Sequence, residues 1–185
     1  MRALAWLVNL LLRATIVAVL AEALRRPDDP RYRGKAIGKR GLVMIPASLL
    51  FPLAQLHPRR RRRPYPVGPD NLYLSIFALD LAGNHFDLYD RYTYFDAIPH
   101  AHGTGAFTVA MADLLDLPPL SAVGVAQLSH IVLEAQEYYS DVWFGLRNVR
   151  GTWDTVNDLL AGALGSITYA LLLGRRGQGA KARSA

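Results

Sequence analysis

The chain has 185 residues, 51% of them hydrophobic and 19% charged, with a formal net charge of +6 and no cysteine. That length suits one domain, and the missing cysteine excludes both a disulfide framework and a thiolate metal centre. The basic excess sits in Arg25 to Arg40, Arg59 to Arg63 and the C-terminal tail, all flanking apolar runs; this is membrane-flanking charge, and no nucleic-acid partner is expected.

Residues 3–24, ALAWLVNLLLRATIVAVLAEAL, are long enough to cross a hydrocarbon core of ~30 Å. Ala21-Glu22-Ala23 imitates a signal-peptide cleavage site, but Arg13 interrupts the apolar run and favours a retained span. Residues 41–57 are short and carry Pro46, Pro52 and Gln55. Each proline removes a backbone donor, so this stretch reads as kinked, re-entrant or interfacial. Arg59–Arg63 follows as a surface anchor.

Four further stretches read as spans: 71–88, 98–117, 120–139 and 155–173, with Pro118-Pro119 making a tight connection before the third. After Leu173 the chain turns to GRRGQGAKARSA, a disordered basic tail by composition. The expected fold is an all-α polytopic transmembrane bundle of five spans, or six if 41–57 crosses. With 41–57 re-entrant, sixteen lysines and arginines fall on one side against Arg2, Arg91, Arg147 and Arg150 on the other. The positive-inside rule then places the N-terminus outside and the C-terminus in the cytoplasm.

Ionisable residues repeat at helical spacing in four of these stretches. Asp80, Asn84, Asp87 and Arg91 form one set, and His130, Glu134, Glu137 and Asp141 another; Asp96, His100 and Gly103 begin a third, Asp154 and Asp158 a fourth. A helix advances about 100° per residue, so each set shares a face. An acid or base at the bilayer centre costs ~3 kcal/mol or more, so these faces are expected to turn inward. His130 lies ~15 Å into a span that starts at Leu120, near the midplane; as a helix lock it would pair with a neighbour such as Asp80, and as a ligand it would work with Glu134 and an acid of the last span. The other acids lie nearer the surface, giving a polar funnel open to one side. Gly103, Gly105, Gly162 and Gly165 read as close-packing positions, and Tyr89, Tyr92, Tyr94, Tyr138, Tyr139, Trp143 and Trp153 as an interfacial aromatic belt. His85 and His102 read as interfacial or helix-packing residues, and Asp154 as a helix cap.

The segments GNHFDLYDRYTYFDAIPHAHGTGAF (83–107), HIVLEAQEYYSD (130–141) and RGTWDTVNDLLAGALGS (150–166) carry an ordered pattern. It runs D-x3-H, then E-x2-E, then D-x3-D-L-x2-G-x2-G. This order resembles the VanZ-like group of bacterial membrane proteins, and is closer still to its YjdF-type inner-membrane branch. The likeness covers roughly residues 80–170. It departs from the group at Ala97, where lysine is usual, at Glu137, where glutamine is usual, and at Gly162, which replaces an asparagine. The resemblance implies a basic N-terminal membrane region (1–69, one span plus the short segment), a VanZ-like core (70–173) and the tail (174–185), in the bacterial inner membrane.

Two functional readings follow. In the first, His130, Glu134, Glu137 and Asp158 are catalytic, and His100, His130, Glu134, Asp154 and Asp158 ligate a divalent metal between helices. The substrate would be lipid-linked or from the cell wall, with Arg147 and Arg150 taking its phosphate; the carboxylates can equally act as general acid and base without metal. In the second, the charged residues lock helices together and the basic region contacts anionic lipid or a partner. A small transporter is a third possibility and would require a homo-oligomer.

Overall fold

The computed structural model describes residues 2–33, 35, 37–145 and 149–184, with side chains up to Arg175 apart from Lys39. The regular elements among them are helices: α1 (Arg2–Arg25), α2 (Ile37–Ser48), α3 (Leu50–Gln55), α4 (Val67–His85), α5 (Leu88–Arg91), α6 (Ala97–Leu114), α7 (Pro119–Phe144) and α8 (Thr152–Ser184). The described residues contain no strand. The helices form two compact units, Met1–Phe95 and Asp96–Ala185. Residues 70–95, grouped by sequence pattern with the later helices, belong to the first unit because α4 packs along α1.

In the N-terminal unit, Ile16, Leu20 and Ala23 of α1 meet Leu74 and Leu81 of α4, with Tyr32 and Ile37 completing the buried cluster. The proline-bearing segment is two short helices rather than one. Pro46 sits inside α2, the chain turns at Leu49, and Pro52 lies inside α3. A helix would need residue 52 to donate its N–H to the carbonyl of residue 48, and proline has none. That carbonyl, Ser48 O, accepts instead from the Arg13 guanidinium of α1 at 2.6 Å. The same guanidinium pairs at 2.7 Å with Asp70 of α4, which is fully buried. Asn9 and Tyr65 donate to the same Asp70 oxygen at 2.7 and 2.6 Å. Burial and the bond to Asp70 push the Tyr65 hydroxyl well up, so it remains a donor. Arg13 thus ties α1 to α4 and to the break between α2 and α3.

The C-terminal unit consists of α6, α7 and α8. Pro118 is extended and Pro119 opens α7 at its first turn, where the missing N–H is harmless. Gly145, in the left-handed conformation, ends α7, its N–H bonding Asp141 O at 3.0 Å. α8 runs from Thr152 to Ser184, past the point where the sequence alone suggests a disordered tail. Its packing against α6 is the most extensive in the unit, because Gly165 has no side chain. A Cβ there would land on the Ala101 carbonyl oxygen, and one at Gly105 would lie 2.5 Å from the Tyr169 ring. Membrane helices commonly approach each other through such small residues.

Two helices, α1 and the Thr152–Arg175 portion of α8, are long and apolar enough to cross a membrane. Neither is a buried core helix, since only 17% and 22% of their most apolar stretches are buried. Leu4, Leu7, Leu10 and Leu11 on α1, and Leu160, Leu164, Ile167 and Leu171 on α8, stand exposed. Five or six spans are expected from the sequence; α4, α6 and α7 fall short because Asp80, His100, His130, Glu134 and similar residues interrupt their apolar faces.

Candidate metal centre

Three helices of the C-terminal unit deliver one cluster of ionisable side chains. Asp96 precedes α6 and His100 stands one turn inside it, so the i, i+4 spacing puts both on one face. His130 and Glu134 occupy the buried face of α7 with the same spacing. Asp158 comes from the buried face of α8.

His100 is the hub. Its Nδ1 lies 2.8 Å from His130 Nε2 and 3.5 Å from Glu134 Oε1. Its Nε2 lies 3.4 Å from Asp96 Oδ1 and 3.8 Å from Asp158 Oδ2. His130 Nε2 and Glu134 Oε1 close the first triangle at 3.4 Å. The side chains of His100, His130, Glu134 and Asp158 are 9%, 3%, 5% and 7% exposed, and Asp96 19%. Glu134 Oε1 and His130 Nδ1 are buried without any hydrogen-bond partner. Among the described residues no lysine or arginine pairs with Asp96, Glu134 or Asp158.

A second triangle, Asp96, His100 and Asp158, has one imidazole and two carboxylates, and the first differs from it in kind. His100 Nδ1, His130 Nε2 and Glu134 Oε1 are two imidazole nitrogens and a carboxylate oxygen, all within 4.8 Å of one another. Around a tetrahedral ion with bonds of ~2.0–2.1 Å, ligand atoms sit ~3.3 Å apart. The separations of 2.8, 3.4 and 3.5 Å bracket that edge. Two imidazoles and a glutamate also match the three-ligand sets that leave a fourth position for substrate. The residues present therefore fit a divalent ion.

His130 reaches this position because of Gly162. A Cβ at residue 162 would overlap the His130 ring and come within 2.8 Å of Thr104 Oγ1. An asparagine side chain at position 162 and this placement of His130 therefore exclude each other.

Of the residues anticipated from sequence, His100, His130, Glu134 and Asp158 come together. Asp96, read as part of a polar face but outside the ligand set, joins them. Glu137 is half-buried one turn further along α7 and is not one of the converging groups. Asp154 also stands outside; its Oδ2 accepts the Arg150 N–H at 2.8 Å and so secures the start of α8. Asp141 likewise accepts the Val149 N–H at 2.8 Å. Arg150 is exposed, and Arg147 lies outside the described residues. The expected pairing of His130 with Asp80 is corrected. His130 faces His100, while Asp80 is held within its own unit by Arg40 at 3.4 Å, Asn84 at 3.2 Å and Tyr89 at 3.0 Å. His102 packs α6 on α8 through a 2.8 Å hydrogen bond to the Tyr169 hydroxyl. His85 instead joins the chain segment after α1, at 2.8 Å from the Tyr32 hydroxyl.

No family model matches this chain, and no curated protein or solved structure is detectably similar to it.

Proposed function

We propose that the chain is a multi-pass, VanZ-like protein of the bacterial inner membrane that binds one divalent cation through His100, His130 and Glu134. The observation that carries this reading is the buried triangle of His100 Nδ1, His130 Nε2 and Glu134 Oε1, in which the glutamate oxygen has no donor. A buried carboxylate oxygen without a donor is costly. Charge points the same way. Three carboxylates and two histidines share one buried cluster, and a divalent ion offsets two of the negative charges. The apolar residues exposed on α1 and α8 support a lipid environment, and the sequence resemblance supports the family.

An ion there would act as a Lewis acid toward a carbonyl or phosphoryl oxygen. The reaction class is hydrolysis or transfer on a lipid-linked or cell-wall substrate, whose phosphate is assigned to Arg147 and Arg150 from the sequence alone. Glu137 and Asp154 have no ligand role in this reading.

Metal analysis of the full chain purified in detergent tests it. About one equivalent of zinc, manganese, iron or a similar ion is expected in the wild type, and none in His130→Ala or Glu134→Ala at unchanged folded yield. A wild type that takes up no ion overturns the metal reading and leaves the cluster as a helix lock.

A further inference from the structure

The cation reading concerns one nitrogen of His100; the other nitrogen carries a separate inference. We propose that Asp96 and Asp158 are positioning residues that hold the His100 Nε2–H between them, and so fix Nδ1 toward His130 and Glu134. This rests on the reading above, but its structural part stands without metal.

The geometry is specific to this ring. Asp96 Oδ1 and Asp158 Oδ2 approach the same nitrogen at 3.4 and 3.8 Å, one from the residue before α6 and one from α8. Two carboxylates, one just before α6 and one on α8, oppose rotation of the imidazole about its own axis, which Asp96 alone would not. Neutral imidazole carries one N–H and one bare nitrogen. A ring whose Nε2–H faces two carboxylates therefore presents a bare Nδ1, the form that can accept from His130 or ligate a cation. A carboxylate behind a ligating histidine fixes its tautomer and raises its basicity in known metal sites.

Asp96, His100 and Asp158 also form a cluster that can be drawn as a cation site in its own right. That alternative is disfavoured by the ring they share. For both triangles to hold ions at once, His100 would have to lose its last N–H, which imidazole keeps far above neutral pH. Of the two sides, the Nδ1 side has the buried oxygen with no donor and two nitrogen ligands. Asp158 therefore moves from the ligand set to the positioning pair.

The test uses the full chain in detergent with zinc or cobalt as the probe, and reads three quantities. In the metal-free wild type, at a pH alkaline enough for the ring to be neutral, 15N shifts of the His100 ring are expected to show the Nε2–H form. In Asp96→Asn and Asp158→Asn that preference is expected to weaken. Both variants are expected to keep a stoichiometry near one while binding zinc ~10- to 100-fold more weakly, as for other outer-shell losses. The cobalt absorption spectrum is expected to keep its shape, because the ligands are unchanged. An Nδ1–H tautomer in the metal-free wild type overturns the inference directly, even if a variant fails to fold. So does unaltered zinc affinity in folded Asp158→Asn, or a stoichiometry of zero, which would make Asp158 a ligand. A wild type that binds no zinc but shows the Nε2–H form, lost in the variants, overturns the cation reading and keeps the positioning pair.

Discussion

In the N-terminal unit the fully buried Asp70 receives donors from Arg13, Asn9 and Tyr65 on one oxygen, at 2.6 to 2.7 Å. In the C-terminal unit Glu134 is similarly buried, and two imidazoles approach its Oε1 at 3.4 and 3.5 Å. The first carboxylate has a guanidinium to neutralise it; the second shares its surroundings with Asp96 and Asp158. Each acid keeps one buried oxygen without a partner, Asp70 Oδ1 and Glu134 Oε1, so the difference lies in the cation. A buried acid paired with a guanidinium fastens helices, whereas one held among other acids is retained at a cost to stability. The two regions thus separate a structural role from a functional one by how their charge is answered.

Removing one side of the first pair should give the largest effect. Arg13→Met leaves Asp70 buried without its cation and Ser48 O without its donor, and is expected to lower stability by about 3–5 kcal/mol. Thermal unfolding in detergent, followed by circular dichroism, measures it. The double variant Arg13→Met, Asp70→Leu should recover much of that loss, because a buried pair replaced by apolar groups is often nearly neutral. If the two single losses simply add in the double variant, the pair is not a unit and the lock reading of this region fails.

That pair also shows what the sequence could and could not disclose. Arg13 stands out as a charge inside an apolar run, but nothing in the spacing identifies its partner, because Asp70 lies at the start of α4 with no second acid in register. His130 with Glu134, and Asp96 with His100, were legible because a helix places i and i+4 on one face. The same rule puts Glu137 and Asp154 on these faces too, but periodicity fixes the face and not the height. Glu137 is ~10 Å along the axis from His130. Asp154 shares its face with Asp158 but accepts the Arg150 N–H just before α8. Sequence also fails to show that residues 70–95 pack with the N-terminal region, because long-range partners are set by packing between helices.

Close packing offers an intermediate contrast between the units. Gly83 in α4 lies against the rings of Tyr89 and Phe95, whose atoms an added Cβ would meet at 2.5 and 2.7 Å. Gly165 in α8 lies against the backbone carbonyl of Ala101. The side-chain rings of Tyr89 in α5 and Phe95 after it can turn aside; a carbonyl in the interior of a helix cannot. Gly165→Ala is therefore expected to cost up to about 3 kcal/mol, and Gly83→Ala about 1 kcal/mol, both read from unfolding midpoints. Because the Gly165 contact also sets how close α8 comes to α6, Gly165→Ala should weaken zinc binding as well. Gly83→Ala should leave zinc binding unchanged. A loss of zinc affinity in Gly83→Ala alone would mean that the two units do not divide the work as described.

The smallest expected change in stability is the most discriminating. Asp70→Asn and Glu134→Gln make the same chemical change, acid to amide, at two buried carboxylates. At Asp70 the amide would meet three donors and lose charge-assisted bonds, which should cost about 1–3 kcal/mol. At Glu134 the oxygen has no donor to lose, and removing a negative charge relieves repulsion from Asp96 and Asp158. Glu134→Gln should therefore change stability by less than about 1 kcal/mol, in either direction, while abolishing zinc binding. A loss at Glu134 as large as that at Asp70, with zinc binding intact, would place both carboxylates in the same structural class and remove the case for a site between α6, α7 and α8.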